Sequence, residues 1–128
     1  MDSQIDLIFC LLVVFHLKHY VADFPLQREY MLRKSLPGFA FVGPLSLHSG
    51  IHAILTLLIC LYFVPQLWWL AIVDFVIHFV TDRIKSGPNM FGRFNDLSKP
   101  AFWNILGLDQ MIHHLTHIGF IYYMVIAV

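Results

Sequence analysis

The sequence predicts an all-α integral membrane protein, built as a single four-helix bundle. Of its 128 residues, 59% are hydrophobic and only 12% are charged, and the mean hydropathy is +0.71. A soluble domain carries about 25% charged residues, so this chain has too few to cover a surface that faces water. Four stretches are long enough to cross a bilayer once their polar residues have an interior to face. Residues 1–128 are therefore expected to form one transmembrane domain.

The four spans follow one another along the chain, and two long polar connections separate them. The spans are expected at about residues 5–23, 46–64, 67–83 and 109–128. A minimal turn at Pro65 and Gln66 joins the second span to the third. Residues 24–45 and 84–108 contain proline, glycine and interleaved aromatic residues, which is typical of loops with short interfacial helices.

The positive charges lie almost entirely in or beside the two long connections. They are Arg28, Arg33, Lys34, Arg83, Lys85, Arg93 and Lys99. The positive-inside rule therefore predicts that both connections are cytoplasmic and both termini are outside. Lys18 is the exception, and its amino group is expected to extend toward the cytoplasmic end of the first helix.

Ionisable residues recur within the spans at spacings of three or four, which places them on one face of each helix. Because neighbouring spans run in opposite directions, these faces align in layers about 6 Å apart along the helix axis. The layer nearest the cytoplasm holds Asp23, His48, Asp82 and Asp109; the next holds His19, His52, His78 and His113; the deepest holds His16, Thr56, Asp74 and His117. Only His114 points away from the polar face of its helix.

These layers predict a metal centre. An ionised group in the bilayer costs roughly 2.5–3.5 kcal/mol, so these residues are expected to face one another or an ion. The expected ligands are His19, Asp23, His48, His52, His78, Asp82, Asp109 and His113, with His16, Asp74 and His117 as additional candidates. Imidazole and carboxylate suit zinc, with iron or manganese as alternatives, and the set can hold one or two divalent ions.

Single members of this set also have a purely structural interpretation. Asp109 could cap the start of the fourth helix, and Asp82 could pair with Arg83 or Lys85. Intramembrane histidines can also bond across helices without binding any ion. The alignment of layers across four helices favours metal binding, because separate explanations would otherwise be needed for each residue.

Four motifs resemble those of a family of small bacterial and phage membrane proteins, catalogued as domain of unknown function 3307. They are HYVADFPLQ at 19–27, LHSGIHA at 47–53, HFVTDRIK at 78–85 and LDQMIHH at 108–114. The resemblance implies a multi-pass protein of the bacterial inner membrane. The polar positions that it implies are His19, Asp23, Gln27, His48, His52, His78, Asp82, Asp109, Gln110 and His113, which adds Gln110 to the candidate ligands. The set also resembles the histidine and aspartate patterns of inner-membrane metal-dependent hydrolases.

The first functional hypothesis is a metal-dependent hydrolase that acts on a lipid or lipid-linked phosphate at the cytoplasmic leaflet. A metal ion can activate water and hold a phosphoryl oxygen, and one carboxylate must accept the proton. The candidate catalytic residues are Asp23, Asp82 and Asp109, and the candidate substrate-binding residues are Gln27, Arg28, Lys85 and Arg93. A formal net charge of zero argues against a nucleic-acid partner. The sequence leaves a homo-oligomer open.

Two other classes of function stay open. HSGIH and HHLTH resemble the histidine boxes of membrane di-iron desaturases and hydroxylases, and a layer of histidines resembles bis-histidine haem ligation, although carboxylates fit haem poorly. A polar ladder could also transport or sense metal ions or protons. The outer half of each span is apolar, which favours a pocket open on one side over a path through the membrane.

Overall fold

The computed structural model describes residues 3–128, which form helices and contain no β-strand within that range. The four α-helices are α1 (Ser3–Asp23), α2 (Val42–Phe63), α3 (Leu70–Ser86) and α4 (Pro100–Ile126). Three short 3-10 helices, Glu29–Ser35, Pro65–Leu67 and Phe91–Arg93, lie in the connections. The predicted all-α class is confirmed for these residues.

Three helices begin three or more residues away from the positions that the sequence predicted. α2 starts at Val42 rather than 46, and α4 starts at Pro100 rather than 109. Proline suits the first turn of a helix, because its missing N–H has no intrahelical partner there and its φ is already helical. Asp109 therefore lies well inside α4 and does not cap it. At the tight turn, Pro65 opens a 3-10 helix, so α3 starts at Leu70 rather than 67.

Each α-helix packs against its neighbour along the chain, and α4 also packs against α1. Contacts between His48 and Asp82 and between Thr56 and Asp74 show that α2 and α3 are antiparallel. An apolar core fills the end of the interior near the Pro65 turn: Leu11, Phe15, Ile59, Cys60, Val64, Leu70, Phe120, Ile121 and Met124. The other half of the interior is polar.

The helices bury polar side chains and expose apolar ones. His52, Asp74 and His78 are each at most 1% exposed. Large apolar side chains face outward on all four helices, among them Phe9, Val13, Leu17, Ile54, Leu58, Leu61, Ile72, Val76, Val80, Met111, Leu115 and Ile118. By length and composition, α1 and α2 could each cross a membrane.

Arg83 holds the first connection against the end of α3. Its guanidinium donates hydrogen bonds to the carbonyl oxygens of Lys34 (3.3 Å) and Leu36 (3.0 Å) and lies 3.6 Å from the centre of the Phe41 ring. Gly38, with φ of +66°, provides a left-handed turn between this anchored segment and α2. The anchoring places Lys34 over the polar half of the interior.

Candidate metal centre

The eight predicted ligands lie together in the polar half of the interior, and each α-helix contributes two of them. They are His19 and Asp23 from α1, His48 and His52 from α2, His78 and Asp82 from α3, and Asp109 and His113 from α4. All are buried except Asp23, which is partly exposed. Each pair is four residues apart, so both side chains leave their helix on the same face.

Asp23 is the carboxylate of a first group of ligand atoms. Its Oδ1 lies 2.7 Å from Nε2 of His52 and 3.4 Å from Nε2 of His48. Its Oδ2 lies 3.0 Å from Nε2 of His19. One ligand atom each from Asp23, His48 and His52 lie within 4.8 Å of one another.

A second group forms around Asp82. Its Oδ2 lies 3.2 Å from Nε2 of His48, and its Oδ1 lies 3.3 Å from Nε2 of His113. Nε2 of His113 is also 3.1 Å from Oδ1 of Asp109. One ligand atom each from His78, Asp82 and His113 lie within 4.8 Å of one another. Because His48 contacts the carboxylates of both groups, the two groups form one continuous site.

The ligand atoms within each group lie close enough together to share a single ion. Zinc ligands lie about 2.0–2.2 Å from the ion in a tetrahedral arrangement, so neighbouring ligand atoms are roughly 3.3–3.6 Å apart. Hydrogen bonds between imidazole and carboxylate give similar distances, but they do not account for His78. Its Nε2 is buried and lies 3.2 Å from Oδ1 of Asp74, but it forms no hydrogen bond with any residue that the structure describes. Buried polar atoms are usually satisfied, so this nitrogen fits a cation ligand.

The imidazole rings meet in the centre of the site. The ring of His78 stacks on those of His52 and His113, with centroid distances of 3.8 and 3.9 Å. The rings of His19 and His52 are 6.0 Å apart. Within residues 3–128, no hydrogen-bond partner reaches the buried Nδ1 atoms of His19, His48, His52, His78 and His113. Only the Nε2 atoms of these rings therefore face the carboxylates.

The structure does not bring His16 into the site. His16 is exposed, its Nδ1 is 2.9 Å from the carbonyl oxygen of Leu12, and its ring stacks on that of His114 at 5.2 Å. The buried face of α1 follows Leu11, Phe15, Lys18 and Ala22, whose spacings are also four and three. His16 lies beyond the edge of that face, so the prediction that it shares a buried face with His19 is wrong.

Lys18 occupies the place predicted for His16. It is 5% exposed, and its Nζ lies 2.8 Å from Oδ2 of Asp74 and 3.1 Å from Nε2 of His117. The expectation that Lys18 extends toward the cytoplasmic end of α1 is wrong, because its ammonium pairs with Asp74 inside the bundle. Asp74 and His117 lie in the deepest layer as predicted, and both are buried.

Gln110 lies at the rim of the site and connects two of the predicted ligands. Its Oε1 is 2.8 Å from Nε2 of His19, and its Nε2 donates a hydrogen bond to Oδ2 of Asp109 at 3.1 Å. These contacts orient His19 and Asp109.

A cavity of about 190 Å³ opens onto the carboxylates, and two lysines line it. Nζ of Lys85 lies 3.1 Å from Oδ2 of Asp109, and Nζ of Lys34 lies 3.4 Å from Oδ2 of Asp82. Lys34 also donates a hydrogen bond to Oε1 of Gln27 at 3.1 Å. Asp82 therefore pairs with Lys34, not with Arg83 or Lys85 as its structural interpretation supposed.

Two of the four predicted substrate-binding residues, Gln27 and Lys85, line this cavity. Arg28 and Arg93 are exposed and do not line it, and the guanidinium of Arg93 lies over the ring of Phe94 at 4.8 Å. Sequence reasoning missed Lys34, since its position depends on how the first connection folds back over the helices. No periodicity within a helix indicates such a placement.

Comparison with known proteins identifies a family for this chain. No curated protein matches it, and no solved structure does. The family described as "Protein of unknown function (DUF3307)" matches residues 10–128, a range that includes all eight predicted ligands and both cavity lysines. The chain therefore belongs to the DUF3307 family, as the resemblance of its four motifs implied.

Proposed function

We propose that this protein is a metal-dependent hydrolase embedded in the bacterial inner membrane, where it cleaves a lipid or lipid-linked phosphate. The observation that carries the proposal is a buried cluster of imidazoles and carboxylates, 2.7–3.4 Å apart, directly below a cavity lined by two lysines. The cluster supports metal binding, and the lysines support an anionic substrate.

The inside-out distribution of polarity supports a four-helix membrane bundle. In water, outward-facing residues such as Leu17, Leu58, Val76 and Leu115 would leave large apolar areas exposed on every helix. In a bilayer the same residues would face lipid, and the ionisable groups would face one another. Charged residues of the two connections would then lie on the cytoplasmic side.

Cysteine labelling tests this topology. In a protein whose native Cys10 and Cys60 are replaced by alanine, a cysteine at Gln66 should react with an impermeant thiol reagent in intact cells. A cysteine at Arg93 should react only after permeabilisation, because the second long connection is expected in the cytoplasm. Both positions are exposed in the structure, so accessibility alone does not distinguish them. The reverse pattern would contradict the proposed orientation.

The ligand set favours zinc, with iron or manganese as alternatives, and its two groups suit one or two ions. A bound ion would supply the Lewis acid that polarises a phosphoryl oxygen and activates water. Two of the three candidate catalytic carboxylates, Asp23 and Asp82, belong to the ligand groups. Asp109 belongs to neither, although it lies at the cavity. We therefore assign Asp109 as the base.

In the proposed reaction, a water oxygen bonds to phosphorus and the ester P–O bond breaks. Asp109 accepts a proton from the water, and the leaving alcohol oxygen takes up a proton. Lys34 and Lys85 would neutralise the phosphate oxygens, and each already contacts a carboxylate at the cavity. Their ammonium groups provide charge-assisted hydrogen bonds, which are stronger than neutral ones.

A second cavity supports an amphiphilic substrate. It has a volume of about 320 Å³, shares Lys85 with the site cavity and is lined mainly by apolar side chains. These include Phe91, Phe94, Phe102, Ile105 and Leu106. A phosphate at Lys85 would therefore lie beside a pocket suited to hydrocarbon, as in a lipid phosphate.

A phosphate-release assay tests the reaction. Zinc-loaded protein in detergent should release inorganic phosphate from phosphatidic acid or a polyprenyl phosphate, and far less from glycerol 3-phosphate. Lys34→Met should raise KM on the order of 10-fold, because it removes a charge-assisted contact of about 1.5–3 kcal/mol. Lys99→Met, at an exposed position outside both cavities, is the matched control. Metal-loaded protein that releases no phosphate from either lipid would overturn the hydrolase proposal.

The alternative functions have less support. Stacked imidazoles 3.8–3.9 Å apart leave no slot for a porphyrin between them. A di-iron oxidoreductase stays an alternative, and an optical spectrum of purified protein would distinguish iron from zinc. A transporter would need polar groups that continue from the layers across the membrane. The described core around Phe15, Phe120 and Met124 is apolar instead.

A further inference from the structure

Lys18 lies inside a third group of possible metal ligands. One ligand atom each from Asp74, His78 and His117 lie within 4.8 Å of one another. Each of the other two groups likewise combines one carboxylate with two imidazoles. The third group differs because the ammonium of Lys18 contacts two of its members, Asp74 at 2.8 Å and His117 at 3.1 Å.

The contacts of Asp74 show that Lys18 neutralises the charge of its buried carboxylate. Oδ2 of Asp74 accepts hydrogen bonds from both Lys18 and the hydroxyl of Thr56, the latter at 2.5 Å. Oδ1 of Asp74 lies 3.2 Å from Nε2 of His78 and has no hydrogen-bond partner in the described part of the chain. Both Lys18 and Asp74 are almost completely buried. An unpaired buried carboxylate would be destabilising. Lys18 therefore supplies the positive charge that Asp74 would otherwise need from a bound cation.

We propose that Lys18 is a tethered cation, which occupies the innermost carboxylate–histidine group and restricts metal ions to the two outer groups. This inference rests on the proposed metal site. An ion in the innermost group would need ligand atoms at about 2.0–2.2 Å, in space that the ammonium now fills. It would also be repelled by the ammonium, and repulsion between like charges is strong in a buried site.

Lys18 also lies at the inner end of the stacked polar layers. Beyond it lie Leu11, Phe15, Phe120 and Met124, and the ring of His117 already contacts that of Phe15 at a centroid distance of 5.1 Å. An ion that reached the outer groups would meet first the ammonium and then an apolar core. Lys18 thus closes the inner end of the site against ion passage.

Metal stoichiometry tests the inference. Zinc binding is titrated against a metal indicator with wild-type protein, Lys18→Met and the control Lys99→Met, all purified in detergent without chelator. Lys18→Met should bind one more zinc ion per chain than wild type, because Asp74 and His117 become free to coordinate. His78 belongs to both the second and the innermost group, and both of its ring nitrogens lack a hydrogen-bond partner among the described residues. Lys18→Met with Asp74→Asn should return to the wild-type number, and Lys99→Met should not differ from wild type.

A second measurement uses variants that keep the lysine, in case Lys18→Met does not fold. His117→Gln in the wild-type background should leave the zinc number unchanged, since the innermost group holds no ion there. Loss of zinc from His117→Gln, or an unchanged number in folded Lys18→Met, would refute the inference. Wild-type protein without zinc, together with one ion in Lys18→Met, would support the role of Lys18 and refute the proposed outer metal site. An absence of zinc from both proteins would refute both proposals.

Discussion

His113→Ala is expected to lose most of the metal that wild-type protein retains through purification. Nε2 of His113 lies 3.3 Å from Asp82 and 3.1 Å from Asp109, and it forms a ligand group with His78. Removing even a hydrogen-bond partner of a ligand typically weakens metal affinity about 10–100-fold, so removing a ligand should cost at least that much. Metal content per chain is measured by atomic emission on protein purified without chelator or a nickel-charged resin.

His114→Ala is the matched control, because it makes the same chemical change at the next residue of α4. The ring of His114 stacks on that of His16 and is tilted against that of His19, but His114 belongs to none of the ligand groups found in the described residues. This variant should keep its metal. Equal metal loss from both variants would point to a general disturbance of α4, and full metal content in folded His113→Ala would exclude His113 as a ligand. Circular dichroism reports whether each variant retains its helices.

Asp109→Asn is expected to abolish turnover while keeping the metal. The amide fills the same space as the carboxylate but cannot accept the proton, and loss of a general base typically costs about 10²–10⁴-fold in rate. Asp109 lies outside both ligand groups, whereas Asp82 lies within one. Asp82→Asn should therefore lose metal as well as activity. Both quantities are measured on the same preparations, by phosphate release and metal content.

Asp96→Asn is the control for the loss of a carboxylate. Asp96 is exposed in the second long connection, where hydrogen bonds from the hydroxyl and backbone N–H of Ser98 lower the pKa of its carboxyl. It is therefore ionised at neutral pH, yet among the described residues it belongs to none of the ligand groups and lines neither cavity. Asp96→Asn should behave as wild type. Wild-type turnover by Asp109→Asn would transfer the role of base to another group.

The clustering of the candidate ligands could be predicted from the sequence. The helical spacing within each span and the opposite directions of neighbouring spans together determine where these side chains lie. His48 and His52 share a face of α2, and Asp82 and His78 share a face of α3 that runs the opposite way. Matching the two faces by depth required only the rise per residue of a helix. The family resemblance was independent of this geometry and implied the same eight residues, together with Gln27 and Gln110.

Other features of the fold and the site could not be predicted from helical spacing. His16 and Lys18 both lie within four residues of His19, and the apolar residues of α1, rather than the polar ones, decide which of them is buried. Lys34 reaches the site through the fold of a connection, which has no helical period to reveal it. The start of α4 at Pro100 was indicated by the proline itself, although residues 100–108 were predicted to belong to the second long connection.

The short 3-10 turn at Pro65–Leu67 has a consequence for the biogenesis of a membrane-embedded chain. α3 carries Asp74 and Asp82, whose insertion alone would cost roughly 2.5–3.5 kcal/mol each. α2 supplies Thr56 as a partner for Asp74 and His48 as a partner for Asp82, and only the turn separates the two helices. In the proposed membrane topology, α2 and α3 would thus enter the bilayer as a preassembled hairpin, so that no carboxylate of α3 meets lipid unaccompanied.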